Sequence, residues 1–180
     1  MEIKDIERRI NEMKTMYGLK PSDTERLREL CEEYRPTKAK MKKMKTLLEK
    51  GADVNAEYGI YPKKTILRSV CDTYTPKKLE LVKFLIKNGA DVNAKNNAYR
   101  PTSIIQSVCE SYTPLKKELL ETLLKYEHSD KDIFNAVGYE YGEYLTYADF
   151  LSMAIREGYD PTHKDDEGKT SLLYVALESM

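Results

Sequence analysis

The sequence lacks tryptophan and has only three phenylalanines, two histidines and three cysteines among its 180 residues. No apolar run approaches the roughly 20 residues of a membrane-spanning helix. The start, MEIKDIERRI, lacks the apolar stretch of a secretory signal. Three cysteines cannot all pair within one chain, and no Cys-x-x-Cys spacing links them. We therefore expect no disulfide framework and no metal site, and we expect a reducing cytoplasm as the compartment.

Sequence signatures of catalysis are also missing. There is no Gly-rich phosphate loop, no His-Glu-x-x-His and no Gly-x-Ser-x-Gly. His128 and His163 fall in predicted loops, and neither has a second ligand type four residues away on a helix. We expect a protein that is not an enzyme and that uses no cofactor.

What the chain does have is self-similarity. The hexamer Gly-Ala-Asp-Val-Asn-Ala occurs at residues 51–56 and again at 89–94, each time after an amphipathic segment. Glycine takes the left-handed conformation at low cost, so both copies predict a helix stop. A second motif, Leu/Val-Cys-x-x-Tyr with a proline two residues later, repeats around Cys31, Cys71 and Cys109. The predicted unit is a helix, a Pro turn, a second helix, a Gly stop and a loop, with the cysteines buried.

These residues resemble the ankyrin repeat. The two hexamers resemble the loop after the family's second helix, and Asp165–Leu173 resembles the loop that leads into its first helix. The resemblance covers about residues 24–180 and implies an all-α, helix-pair solenoid of about four repeats. The units are 38–40 residues long, against 33 in the family. Arg68 and Gln106 stand where the family has histidine.

We divide the chain, as a single domain, into a cap, four repeats and a truncated end. An apolar stripe from Ile3 to Met16 predicts an amphipathic N-terminal helix that covers the end of the stack, because a terminal repeat cannot leave its apolar face in water. The parts are 1–20 for the N-terminal cap helix, 22–60, 61–98, 99–130 and 131–165 for the repeats, and 166–180 for a C-terminal cap helix.

The candidate binding residues lie in the loops and on the first helices. Tyrosine and arginine are favoured anchors at interfaces, and the loops carry Tyr58, Tyr61, Tyr99 and Arg100. In the family, exposed positions of the first helices line a concave groove that meets another protein. Those candidates are Arg68, Ser69, Asp72 and Thr73 in repeat 2, and Gln106, Ser107, Glu110 and Ser111 in repeat 3.

Two alternatives to a protein-binding module stay open at this point. Residues 1–90 carry a net charge of +7 and residues 91–180 a net charge of −7, which favours weak head-to-tail self-association. The lysine-rich helix at Lys38–Lys45 is a candidate surface for nucleic acid or an anionic membrane. The acidic first-helix face is a poor match to phosphates, so nucleic acid is the less favoured partner.

Overall fold

A computed structural model describes residues 3–18, 20–32, 37–126, 132–133, 136, 145–164 and 168–172. Its helices are α1 (Ile3–Met16), α2 (Asp23–Glu32), α3 (Lys38–Glu49), α4 (Ile66–Asp72), α5 (Leu79–Lys87), α6 (Ile104–Glu110), α7 (Lys117–Leu124) and α8 (Tyr147–Arg156). Short 3-10 turns at Pro76–Lys78 and Pro114–Lys116 lead into α5 and α7. None of the described helices is long and apolar enough to cross a membrane.

Hydroxyl side chains start the helices. The Ser22 hydroxyl accepts from the Glu25 amide, and the Glu25 carboxylate accepts from the Ser22 amide, so the two residues form a capping box at the start of α2. Ser103 and Gln106 form the same arrangement at α6. Thr65 caps α4 by accepting from the Arg68 amide at 3.3 Å. Each cap satisfies backbone donors that have no partner within the helix.

Glycines end three of the second helices. Gly51, Gly89 and Gly158 have φ angles of 92°, 88° and 101°, in the left-handed region that favours glycine. At each, the next residue's amide donates 3.0 Å back to a carbonyl inside the helix, at Leu47, Leu85 and Ala154. The predicted helix stops are therefore confirmed. Helix α7, which lacks a glycine at this point, ends at Lys125 in the right-handed conformation.

The core lies between the first and second helices of each pair. Cys31, Cys71 and Cys109 form no disulfide and have no exposed surface, as their position beside Leu or Val predicts. Helix α4 contacts both α2 and α6, and α7 contacts both α5 and α8, so successive helix pairs pack against each other along the chain. Apolar residues of the second helices fill the core from the other side; they include Met44, Leu81, Val82, Leu85, Leu119, Leu120, Leu123 and Phe150.

Two features differ from the sequence-based expectation. An antiparallel hairpin pairs Glu57–Tyr58 with Lys64–Thr65, although an all-α fold was predicted. Helix α1 forms as predicted, but part of its stripe is exposed: Ile10, Met13 and Met16 are 39%, 50% and 77% exposed. The assignment of α1 as the cap of the stack stays a prediction.

Several expectations fall outside the described residues. They concern Tyr34 and Pro36 of the first repeated motif, His128, the loop at 165–167 and residues 173–180 of the predicted C-terminal cap helix. The number of repeats, about four, and the bounds of the six segments given above stay predictions.

Candidate functional site

A groove of about 830 Å³ runs along the first helices. Its floor is formed by α2 and α4, and its wall by the hairpin and the loop that joins the hairpin strands. The candidates Tyr58, Tyr61, Arg68 and Asp72 all contribute to its lining. The fold therefore brings loop and first-helix candidates together at one surface.

Asp72, on the groove floor, makes side-chain contacts with two other parts of the fold. Its carboxylate contacts the Lys64 ammonium at 3.2 Å and accepts from the Ser107 hydroxyl at 3.0 Å. It therefore links the hairpin to the first helices of two successive units. On α6, the Glu110 residue as a whole is exposed. Its carboxyl is nevertheless partly buried, which raises the pKa of that carboxyl, and Arg68 acts in the opposite direction by lowering it.

The hydroxyls at the ends of α4 and α6 are held in place by lysines. The Thr73 hydroxyl donates to the Ser69 carbonyl and accepts from the Lys78 ammonium, both at 2.8 Å. The Ser111 hydroxyl donates to the Ser107 carbonyl at 2.7 Å and accepts from Lys116 at 2.6 Å. A lysine at a helix C-terminus also offsets the partial negative charge of the last carbonyls.

These two lysines were not found by sequence reasoning. Lys116 is only 8% exposed, and burial lowers the pKa of both ammonium groups. The signal was present, because Lys78 and Lys116 each stand seven residues after the cysteine of their unit. A lysine after a proline turn is most simply interpreted as a surface charge, so the repeated position of these two lysines was overlooked.

Two of the candidates point into the protein. Arg68 is 5% exposed, and its guanidinium donates to the Thr102 carbonyl at 2.5 Å and to the Thr102 hydroxyl at 2.8 Å. Burial lowers the pKa of Arg68, while Asp72 and Glu110 raise it. Gln106 is also 5% exposed, and its side-chain oxygen accepts from the Ser103 amide at 2.7 Å. Both residues join parts of the fold, so we leave them out of the exposed surface.

The remaining loop candidates form an exposed wall. Tyr61 is 55% exposed and Tyr99 is 93% exposed, and the Tyr99 amide donates to the Tyr61 hydroxyl at 2.7 Å. Lys63 and Asn97 bond to each other beside them: the Lys63 amide donates to the Asn97 side chain, and the Asn97 amide to the Lys63 carbonyl. These bonds hold the two successive loops side by side, while the side chains of Tyr61, Tyr99 and Arg100 are exposed.

Tyr58 has a more structural position than the other loop tyrosines. The Arg28 guanidinium lies over its ring at 4.9 Å from the centroid, a cation–π contact. Its hydroxyl is buried near Ser69 and Glu32 without a hydrogen bond of normal geometry to a described residue. Burial raises the pKa of Tyr58 to about 12. Tyr58 therefore anchors the hairpin on α2 and is only in part a contact residue.

The asparagines of the hexamers connect successive loops. The Asn55 side chain donates to the Gly89 carbonyl at 2.9 Å and accepts from the Asp91 amide at 2.8 Å. This pair of bonds spans 34 to 36 residues, close to one repeat.

Among the residues that the structure describes, no group of three or more His, Cys, Asp or Glu could hold a metal ion.

The described part of the chain is mostly helical, and three of its helices end at glycine. A family model described as Ankyrin repeat matches residues 73–97, which confirms the resemblance found in the sequence. The match covers the Pro turn, α5 and the second hexamer. Ankyrin repeats in general are non-catalytic domains that mediate protein–protein contact, so the match indicates an interaction module. No curated protein matches the chain.

Proposed function

We propose that this chain is a non-catalytic helix-pair solenoid of about four repeats that binds a partner protein across its loop wall and concave groove. The observation that carries the proposal is the pair of exposed tyrosines on successive loops, Tyr61 and Tyr99, in which the Tyr99 backbone amide donates to the Tyr61 hydroxyl and so fixes the Tyr61 ring. Preorganised aromatic side chains give up little conformational freedom on binding. Large exposed aromatics of this kind are typical of interface anchors.

The groove floor completes the proposed surface. Asp72 lines the groove, and the polar or acidic candidates beside it, on or just after α4 and α6, extend the proposed surface; they are Ser69, Thr73, Ser107, Glu110 and Ser111. Their fixed hydrogen bonds prearrange the surface, so a partner meets side chains that already hold one geometry. Whether the chain acts as an inhibitor, an immunity-type protein or an effector depends on that partner. The buried free thiols favour a reducing cytoplasm as the place of action.

The experiment compares two variants in an affinity capture from the source cell lysate. Replacing Tyr61, Tyr99 and Arg100 together by alanine should remove the partner that the unaltered chain captures, as measured by quantitative mass spectrometry. The matched control replaces Leu115 and Tyr126, which are 67% and 37% exposed on the next unit, and should keep that partner. Equal capture by both variants, with unchanged circular dichroism, would show that the wall is not the binding surface.

The basic surface of α3 supports a second candidate function. Lys38, Lys42, Lys43 and Lys45 are exposed, while Met44 on the opposite face is buried. A basic amphipathic helix of this kind fits an anionic surface such as nucleic acid or lipid headgroups. A logarithmic plot of affinity against salt concentration separates the two functions: a steep negative slope supports this candidate, and weak binding that salt does not change contradicts it.

A further inference from the structure

A second groove, of about 690 Å³, lies between α2 and α3. It shares no lining residue with the concave groove and so uses a different face of α2. Leu30 and Leu47 are its apolar floor, since both are partly buried. The other lining residues are exposed and form its rim; they are Arg26, Glu29, Ala39, Lys42, Lys43 and Thr46.

The next helix pair shows what the corresponding face does within the stack. The equivalent positions are 40 residues later in the first helix and 38 residues later in the second, which are the spacings of the cysteines and of the hexamers. Four apolar residues occupy them and all are buried; they are Ile66, Val70, Leu81 and Leu85. In the first pair, Leu30 and Leu47 keep the apolar character, but Arg26 and Lys43 put cations at the other two positions. This packing face is therefore altered toward a partner that differs in charge from the helices of the stack.

The charge around the groove has one sign. Its rim has three cations and a single carboxylate, Glu29. Arg26 contacts Asp23 at 3.5 Å, whereas Lys42 and Lys43 form no ion pair with any residue that the structure describes. Helix α3 as a whole has five lysines and one glutamate. Carboxylates on an occupant would thus find unpaired lysines on both sides of an apolar floor.

We infer that this groove binds an acidic amphipathic helix of a partner protein. Apolar residues of that helix would pack on Leu30 and Leu47, and its flanking carboxylates would pair with Lys42 and Lys43. Helix α3 has 12 residues and spans about 18 Å, so the groove is long enough for about three turns. The site is separate from the loop wall and does not depend on binding there.

The shape of the site favours a helix over the anionic surfaces considered above. Leu30 and Leu47 lie at the bottom of the groove, below exposed lysines, where a flat lipid surface does not reach them. A nucleic acid would pair its phosphates with the lysines and leave the apolar floor without a partner. A helix with one apolar face and acidic flanks matches both the floor and the rim.

A labelled synthetic peptide tests the site by fluorescence anisotropy titration with the whole chain. The peptide has about 18 residues, because shorter isolated helices are marginal in water. Leucines form one face at i, i+3, i+4 and i+7, and glutamates flank them. It should bind saturably. A peptide with serine for each leucine, and another with lysine for each glutamate, should bind at least about tenfold more weakly. No binding of the acidic peptide, or equal binding of all three, would overturn the proposal.

Charge reversal on α3 locates the contact. The double variant Lys42→Glu and Lys43→Glu should bind the acidic peptide at least about tenfold more weakly and should bind the lysine peptide instead. The matched control, Lys38→Glu with Lys45→Glu, changes the charge of the same helix equally but outside the groove, and should keep most of the affinity. All four lysines are exposed, so circular dichroism should show unchanged helical content. Equal losses in both double variants would show only a general attraction to α3 and would overturn the proposal.

Two further measurements separate this site from the functions proposed above. The chain with Tyr61, Tyr99 and Arg100 replaced by alanine should bind the acidic peptide with unchanged affinity, and a loss there would place the peptide on the loop wall and overturn the proposal. Vesicles of phosphatidylserine and phosphatidylcholine in equal parts test the lipid alternative. Vesicle binding that both lysine double variants lose equally, without binding of the acidic peptide, would assign α3 to an anionic surface and overturn the helix site.

Discussion

Arg68 offers a direct test of how neighbouring units are joined. Its buried guanidinium makes two hydrogen bonds to Thr102, 34 residues away in the next unit. Arg68→Met keeps most of the aliphatic stem and removes both donors. Hydrogen bonds from a charged group contribute about 1.5–3 kcal/mol each. The change also relieves the burial of a charge, and the Thr102 carbonyl keeps a bond from the Asn96 amide at 3.3 Å. We therefore expect the free energy of unfolding to fall by about 3 kcal/mol.

Urea denaturation followed by circular dichroism measures this loss. Thr102→Val removes the hydroxyl partner alone and should cost about 1 kcal/mol. The double variant should lose less than the sum of the two, with a coupling energy of about 1 kcal/mol, because both changes remove the same bond. Lys64→Met is the matched control. Lys64 is a cation about one third exposed that pairs with Asp72, so its loss should cost less than about 1 kcal/mol.

Two results would refute this reasoning. A loss below about 0.5 kcal/mol for Arg68→Met would show that the bonds to Thr102 do not stabilise the fold. Strict additivity with Thr102→Val would show that the two side chains do not interact. Either result would show that Arg68 does not join the two units through Thr102.

Two further predictions concern the thiols and a glycine. Burial raises the pKa of Cys31 and of Cys71 from 9.0 to about 12, so above pH 9 each thiol is protonated in the folded chain and ionised in the unfolded chain. Stability should be fully present below pH 9 and then fall by about 1.4 kcal/mol per pH unit for each thiol. Cys71→Ala should reduce that slope by one thiol's share in urea titrations, and an unchanged slope would contradict the assignment. Gly89→Ala should cost about 1–2 kcal/mol because φ is 88° there while the space around the new Cβ is open. Lys87→Ala, an exposed helical control, should change stability by less than about 0.5 kcal/mol.

The parts of the fold that were predictable from sequence obey local rules. Ser22 and Glu25 form a capping box because their spacing matches the first turn of a helix. Gly51 and Gly89 end helices because few other residues adopt a positive φ at low cost. The cysteines are buried because each lies beside a Leu or Val on the apolar face of its helix, in three units. Each of these inferences needs fewer than ten consecutive residues.

The parts that were missed depend on distant residues. The strands of the hairpin are two residues long, which is too short for an alternating pattern to show. Arg68 occupies a position that would suit exposure, and only Thr102 of the next unit explains why it turns inward. The exposure of Ile10, Met13 and Met16 could not be foreseen either, because the stripe of α1 indicated a cap but not where that helix would lie.

Hydrogen bonds between successive loops hold the proposed binding surface together. Tyr61 and Tyr99 lie in the loops that follow the first and second hexamers, 38 residues apart, which is also the spacing between the two hexamers. The Tyr99 amide donates to the Tyr61 hydroxyl, and Asn55, Lys63 and Asn97 make further bonds between successive loops. Two flexible loops would place their tyrosines at random, whereas these bonds keep the two loops side by side. We therefore expect partner specificity to change with the loop residues while the helices keep the fold.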